Sequence, residues 1–291
     1  MSESLSDIKQ HLASVRQTRQ ITNAMFLLST SMLKKTLAGM EYSLRYRESL
    51  RGAMREILEM SEDAGIRNRY LEVSPKGTSL YLSVMGDKGL CGNYNYALAA
   101  LTSQIKREKP GSMLYCFGLE GEEYLKARGL RPDRVLPGSS MHPDLTLARE
   151  LSKALIDMYV TDEVNEVFII YTPYKAANRA PVCRRMLPLL QGDFTDSASR
   201  GRPNEMLYEP SAESVFEHIV PLYCSALLYN ILVQASASEN AARMDAMQSA
   251  TNNADEMLRT LEGRMNAVRQ LTITNEITEI AAATQLLKRG I

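Results

Sequence analysis

The residues that could do chemistry are few, and the most suggestive of them lie in the glycine-rich segment GDKGLCG at 86–92. A glycine-rich turn that follows a strand can hold phosphate with its backbone N–H groups. This segment has neither the GxxxxGK(S/T) spacing of a P-loop nor the GxGxxG spacing of a dinucleotide fold. We therefore interpret Gly86, Gly89 and Gly92 as glycines of a tight structural turn, with nucleotide binding as the alternative.

The other reactive side chains lack the partners that catalysis requires. Cys91 as a nucleophile would need a histidine and an orienting group, and the sequence does not bring His142 or His218 to it. The three histidines and four cysteines have no metal-ligand or CxxC spacing, which favours reduced, buried thiols. The paired acids are typical of helix surfaces: Glu122 with Glu123, and Glu276 with Glu279. The sequence thus predicts no catalytic, cofactor or metal site.

Composition points to a protein that folds by burial. The chain has 291 residues, enough for one large domain or two, with 45% hydrophobic and 23% charged residues. A formal net charge of zero gives no general attraction to nucleic acid or acidic lipid. No uninterrupted apolar run reaches the ~18 residues of a membrane span, and the N-terminus has no signal core. We expect a cytosolic protein, or one that reaches a membrane only through partners.

A heptad repeat marks the C-terminal part of the chain. Apolar or small residues recur there at alternating steps of three and four: Met244, Met247, Thr251, Ala254, Leu258, Leu261, Met265, Val268 and Thr272. Roughly 68 helical residues from Leu222 onward would span ~100 Å, so a partner helix must cover this seam. A buried helix of an all-α domain is the alternative.

The N-terminal part predicts that partner helix. Ser4 and Asp7 form a capping-box pattern, and an apolar stripe runs toward Glu62 through Ile8, Leu12, Val15, Ile21, Met25, Leu28 and Met32. The two terminal helices would then run antiparallel. The basic residues of this helix indicate either a solvated face or a contact with an acidic partner: Lys9, Arg16, Arg19, Lys34 and Lys35.

Between the helices, alternating strands and helices predict a small α/β domain. The strands are expected at 79–85, 113–117, 164–171 and 182–190, the last at a sheet edge because of Pro188. Pro221 is expected to kink or restart the C-terminal helix. The predicted domains are a helix at 1–62, an inserted α/β domain at 75–195 and a helix at 211–291.

Three segments resemble the gamma subunit of F-type ATP synthases, the central rotor shaft. They are SENAARMDAMQSATNNADEM at 238–257, RQLTITNEITEIAAA at 269–283 and GDKGLCGNYN at 86–95, with a looser match in RQTRQITNAMFLLSTSMLKK at 16–35. Asn23 stands where a lysine is usual, and Asn93 where a glycine is commoner. The resemblance covers essentially the whole chain.

The resemblance implies an antiparallel coiled coil of the terminal helices that penetrates a hexamer of alpha and beta subunits. An inserted Rossmann-like α/β domain would face the epsilon subunit and the ring of c subunits. The family's nucleotide sites belong to alpha and beta, so the resemblance implies a non-catalytic coupling subunit without a cofactor. It also implies a peripheral position on the cytoplasmic face of a bacterial cell membrane, with H⁺ or Na⁺ left open because the ring selects the ion.

The same resemblance assigns partner contacts to particular residues. Arg269, Gln270, Thr274 and Glu276 match the polar cluster that contacts the catch region of beta, and Met25 matches a methionine that faces an acidic loop of beta. The alternatives from other classes are a stand-alone coiled-coil adaptor and an enzyme with a small-molecule site in the α/β domain.

Overall fold

The chain begins and ends in long helices, with a mixed sheet between them. The computed structural model describes residues 4–60, 68–72, 77–136, 138–139, 143–175, 179–194 and 208–289. The elements in chain order are α1 (Leu5–Met60), β1 (Thr78–Val84), α2 (Tyr94–Glu108), β2 (Met113–Phe117), α3 (Leu119–Lys126), β3 (Arg134–Leu136), α4 (Leu145–Val160), β4 (Val164–Tyr171), β5 (Val182–Leu187) and α5 (Ala212–Arg289).

The chain divides into two compact units. The first unit combines Met1–Leu28 with Met244–Ile291, and the second is Ser29–Arg243. The first unit is therefore built from the start of α1 and the later part of α5. The predicted mixture of terminal helices and an α/β fold is confirmed.

In the first unit, the start of α1 is fixed by a capping box. The Asp7 backbone N–H donates to the Ser4 hydroxyl, and the Ser4 N–H donates to the Asp7 carboxylate, both at 3.2 Å. These bonds satisfy N–H groups that have no partner within the helix. The pattern seen in the sequence therefore sets the helix start.

In the second unit, five strands lie in the order β3-β2-β1-β4-β5. The first four are parallel, and β5 pairs antiparallel with β4 at the edge. Side chains alternate between the two faces of β1: Leu80 and Leu82 join the core with α4 and α5, and Tyr81 joins the core with α2. Helices cover both faces, as parallel strands require.

The structure corrects two predictions about strands. β3 was not predicted, because its three residues are too few to show a period of two. β5 ends at Leu187, before Pro188, whereas the sequence predicted a strand to 190. Its edge position agrees with the prediction.

Two predictions about the helices also need correction. α5 runs unbroken through Pro221, so the helix does not restart there. The neighbouring residues Val220, Tyr223 and Cys224 are buried, and their packing offsets the ~3 kcal/mol that an internal proline costs. Ile21 and Leu28 are more than half exposed and lie off the seam, because a step of six from Val15 breaks the heptad.

The burial of side chains explains one apolar stretch of α5 and corrects the prediction for one cysteine. Within Ala212–Thr284, one 18-residue stretch has a mean hydropathy of 1.4, enough by length and composition to cross a membrane, although no uninterrupted run suggested it. Buried residues make up 72% of that stretch, as in the core helix of a soluble protein. Cys91, Cys116 and Cys224 are buried as expected, but Cys183 is exposed on β5.

Candidate partner interface

The first unit is an antiparallel pair of helices with a narrow apolar seam. Ile8, Leu12 and Val15 of α1 pack with Ala254 and Leu261 of α5. The remaining seam positions of α5 behave similarly: Met247 and Thr251 are buried, and Met244, Leu258, Met265 and Val268 are partly buried. The heptad positions of the sequence therefore lie on the covered side of α5, up to Val268.

Ion pairs along the edge of this seam show the antiparallel direction. The Arg16 guanidinium lies 2.8 Å from the Glu262 carboxylate, and the Arg19 guanidinium lies 2.5 Å from the Asp255 carboxylate. Exposed pairs of this kind contribute about 0–1 kcal/mol each. Two of the five basic residues expected to face solvent or an acidic partner thus have carboxylate partners within the chain.

Beyond Val268 no helix among the described residues covers the later part of α5. Every residue from 269 to 284 is exposed, including Thr272, which the heptad placed last in the seam. The first turns of α1, which begins at Leu5, pack with α5 only as far as Val268. We call residues 269–284 the unpaired segment. Its exposed apolar side chains are Leu271 at 63%, Ile273 at 44%, Ile277 at 62% and Ile280 at 67%.

The predicted catch residues all lie on the unpaired segment. Arg269, Gln270, Thr274 and Glu276 occupy two consecutive turns, and the Thr274 hydroxyl donates to the Gln270 carbonyl at 2.8 Å. Neither Arg269 nor Glu276 has an ion-pair partner in the parts of the chain that the structure describes. The Arg269, Gln270 and Glu276 side chains are therefore available to another subunit, and Thr274 offers its hydroxyl oxygen as an acceptor.

Met25 is not part of this group. It is half-buried on α1, three residues after Thr22, whose hydroxyl lies 2.9 Å from that of Thr251 on α5. Residues 251 and 269 are separated by ~27 Å of helix at 1.5 Å per residue. The structure thus gives two separate candidate contact points within the first unit.

In the second unit, the glycine turn is closed by hydrogen bonds to its own chain. The Gly86 N–H donates to the Asn95 side-chain oxygen at 2.9 Å, and a Cβ on Gly86 would lie 3.1 Å from the Glu239 carboxyl carbon. Gly92 has φ of +58°, which favours glycine. A Cβ on Gly89 would lie 4.0 Å from the Glu120 carboxylate, an ordinary contact, and the carbonyl of Gly89 accepts a hydrogen bond from Arg243.

The sequence analysis did not predict the side chain that binds this turn, which is Arg243. Arg243 donates to the carbonyls of Lys88 at 3.1 Å and Gly89 at 3.2 Å, and it lies 2.6 Å from the Glu239 carboxylate. The side chains of Arg243 and Glu239 are 4% and 0% exposed. The sequence does contain a signal for this pair: Glu239 and Arg243 are four residues apart, in and directly after the stretch of mostly small residues Ala235–Ala242.

The buried cysteines have thiols that burial makes less acidic. Burial raises the pKa of the Cys91 thiol, and the nearby charge of Glu239 raises it further. Burial also raises the pKa values of Cys116 and Cys224 to about 12. Because the thiolate is the nucleophile, none of these thiols is activated at neutral pH. Among the described residues no three His, Cys, Asp or Glu side chains cluster to hold a metal ion.

Comparison with known proteins relates the whole chain to one family. Residues 4–287 match the family model described as ATP synthase. The ATP synthase gamma chain of Lachnoclostridium phytofermentans is 34% identical over 98% of this chain and 99% of that protein. That of Caldanaerobacter subterraneus subsp. tengcongensis is 36% identical over 94% and 97%. The sodium ion specific gamma chain of Acetobacterium woodii is 30% identical over 99% and 100%.

Solved structures show the same fold. A chain of the Euglena gracilis mitochondrial ATP synthase aligns with a TM-score of 0.70 at 17% identity, over 98% of this chain and 95% of that one. A chain from the central stalk and c-ring structure of the Tetrahymena thermophila enzyme aligns with a TM-score of 0.60 at 23% identity, over 79% and 99%.

Proposed function

The chain belongs to the ATP synthase gamma chain family, and we propose that it forms the rotating central stalk of a bacterial F-type ATP synthase. In this role it couples ion flow through the membrane ring to ATP synthesis or hydrolysis in the hexamer of alpha and beta subunits. Its partners are alpha, beta, epsilon and the c ring. The complex is associated with a membrane, and we place this subunit on the cytoplasmic face.

The observation that carries this proposal is the unpaired segment. A single helix with four large exposed apolar side chains is poorly stabilised in water, because most helical stability in proteins comes from packing. Ile273, Ile277 and Ile280 follow the spacing of one helix face, and exposed apolar patches of this kind mark protein interfaces. Entry into the hexamer would cover them.

We further propose two contacts with beta. We propose that Arg269, Gln270, Thr274 and Glu276 contact the catch region, and that Met25 faces the acidic loop of beta at a second level ~27 Å away along the helix. The polar side chains of the first group have the donors and charge needed for specific contacts. Met25, half-buried on α1, offers only an apolar, adaptable surface.

We also propose that the chain itself holds no active site. In a phosphate-binding loop, backbone N–H groups point toward the ligand. Here the Gly86 N–H is used by Asn95, and the Lys88 and Gly89 carbonyls accept from Arg243. The turn Gly86–Gly92 is better suited to fix the α/β fold against α5 within the second unit.

Co-expression tests the proposal directly. The chain should co-purify with alpha and beta subunits of its own organism, and their steady-state ATP hydrolysis should depend on its presence. The isolated chain should show no thermal stabilisation by MgATP, which a binding site would produce as RT ln(1 + [L]/Kd). Failure to associate with alpha and beta would favour a stand-alone adaptor, and nucleotide-dependent stabilisation would favour an enzyme.

A further inference from the structure

A cavity rich in arginine lies in the second unit, and none of its lining residues belongs to the glycine turn. Its volume is about 540 Å³, within the usual range for small-ligand sites. Side chains from α1, β5 and α5 line it, and we call it the arginine cavity. Four of its lining residues are Arg47, Arg51, Arg184 and Arg185.

The charges around this cavity do not balance. Among the described residues that line it, the carboxylates are Glu48, which lies 2.5 Å from Arg47 and 3.5 Å from Arg51, and Asp193, which lies 3.3 Å from Arg185. Counted over the described lining residues, four guanidinium groups face two carboxylates, a difference of two positive charges. The Arg184 guanidinium forms no hydrogen bond or ion pair with any described residue, although the residue is only partly exposed.

Hydrogen bonds hold two of these arginines in place. Arg47 donates to the Asn230 side-chain oxygen at 3.0 Å, and Asn230 in turn donates to the Ser43 hydroxyl at 3.0 Å. Arg51 donates twice to the backbone carbonyl of Asp193, at 2.9 and 3.2 Å. Groups that are fixed before a ligand arrives lose less entropy on binding.

The ionisable neighbours respond to this excess of positive charge. Burial raises the pKa of the Tyr223 hydroxyl, and the charges of Arg184, Arg47 and Arg51 oppose that rise. Burial also acts to raise the pKa of Glu48, but its hydrogen bond to Arg47 and the charges of Arg47 and Arg51 outweigh burial and lower it. The charges of three guanidinium groups thus act together to oppose the rise in the pKa of the Tyr223 hydroxyl.

We propose that the arginine cavity binds a phosphate group, with Arg184 as its main unpaired ligand. A phosphate carries about −1.5 to −2 charges at neutral pH, which matches the excess of two positive charges better than a single carboxylate does. The planar arginine fork also fits phosphate oxygens geometrically. The phosphate could be free inorganic phosphate or the headgroup of a membrane lipid, whose phosphodiester carries one negative charge and so neutralises half of that excess. This inference is independent of the proposed function.

Calorimetric titration of the isolated full-length chain with inorganic phosphate tests the proposal. We expect saturable binding of one phosphate per chain, weakened at least tenfold by Arg184→Gln. Arg134→Gln is the matched control, because Arg134 is exposed on β3 at the opposite edge of the same sheet. Equal binding by Arg184→Gln and the parent chain would overturn the proposal.

A vesicle-binding measurement identifies the source of the phosphate. Co-sedimentation with phosphatidylglycerol vesicles, compared with phosphatidylcholine vesicles, tests a lipid headgroup. Vesicle binding that Arg184→Gln abolishes would support the site even if free phosphate binds weakly. Binding of neither phosphate nor vesicles, or tighter binding of citrate than of phosphate, would contradict it.

The rate of Cys183 alkylation tests the site in the parent chain, without the Arg184→Gln variant. Cys183 is exposed and lines the cavity, whereas the other three cysteines are buried. Saturating phosphate should slow alkylation of Cys183 at least threefold relative to chloride at equal ionic strength. An unchanged rate in phosphate at concentrations that saturate the calorimetric site would place the ion elsewhere and overturn the assignment.

Discussion

The hydroxyl groups of Thr22 and Thr251 lie 2.9 Å apart in the middle of the helix pair. Both residues are buried, at 9% and 7% exposure, in positions where a strong coiled coil would carry leucine. Each hydroxyl also has a backbone carbonyl of its own helix within hydrogen-bond distance, Arg19 for Thr22 at 3.1 Å and Met247 for Thr251 at 2.8 Å. These small side chains let the two helices approach closely while giving little apolar stabilisation.

A charge in the seam should separate the two helices. Leu261 is 5% exposed, so Leu261→Asp buries an unpaired carboxylate and should cost several kcal/mol. Met257→Asp, at a position that is 47% exposed on the same helix, is the matched control. Circular dichroism and co-purification with alpha and beta should show lost helicity and failed assembly for Leu261→Asp alone. Normal assembly of that variant would mean that the seam lies on another face.

The buried pair of Glu239 and Arg243 should be costly to break from one side. Glu239→Gln or Arg243→Met leaves one buried group without its partner, which typically costs about 3–5 kcal/mol. The double variant should be less destabilised than the sum, because no lone charge remains. Thermal unfolding measures all three. Lys126→Met breaks the exposed pair with Glu122 and should change little. Equal effects of Lys126→Met and Glu239→Gln would refute the role of this pair.

Amide hydrogen exchange should report the unpaired segment directly. In the isolated chain, amides of residues 269–284 should exchange much faster than those of the buried stretch 226–237, because only solvent surrounds the former. Addition of alpha and beta should slow exchange in 269–284 at least tenfold. Peptides from β3, at the sheet edge, provide an internal control. Unchanged exchange upon assembly would show that the segment stays outside the hexamer.

Substitutions in the predicted catch cluster should affect coupling more than assembly. Arg269→Ala, Gln270→Ala and Glu276→Ala each remove exposed polar contacts worth about 1 kcal/mol or less, so each should lower turnover about tenfold at most. The triple variant should lose more than the sum if the residues act together. ATP hydrolysis and ATP-driven ion pumping are measured on the same membranes.

The control for the catch cluster is Arg149→Ala, an exposed arginine on α4. It should match the parent in both assays. If the three single variants and the triple variant also match the parent while the complex assembles, then the cluster does not contact beta.

Local patterns predicted most of the fold because burial in this chain follows them. The heptad places Met247, Ala254 and Leu261 on one side of α5, and these residues are buried. Strands such as Val164–Tyr171 were evident from their β-branched and aromatic residues. Conversely, β3 is three residues long, and its pairing with β2 depends on neighbours distant in sequence.

The polar groups were harder to predict, because their environment comes from distant parts of the chain. Arg243 reads as an ordinary helix residue until Lys88 and Gly89 are brought to it. Arg47 and Arg184 lie more than a hundred residues apart and share one cavity only in the folded chain. The exposed end of α5 likewise depends on where α1 begins, which periodicity within α5 cannot reveal.

The threonines of the unpaired segment have a consequence for friction. The hydroxyls of Thr272, Thr274, Thr278 and Thr284 each donate to a carbonyl four residues earlier, at 2.7–3.0 Å. Their protons are therefore engaged within the helix and are not offered to surrounding subunits. Every directional bond to a surrounding wall would add about 1 kcal/mol of angular preference, to be broken at each step of a turn. Because these donors are bonded within the helix, the free energy of the shaft varies less with its rotation angle. Less of the driving torque is then spent on breaking hydrogen bonds to the surrounding subunits.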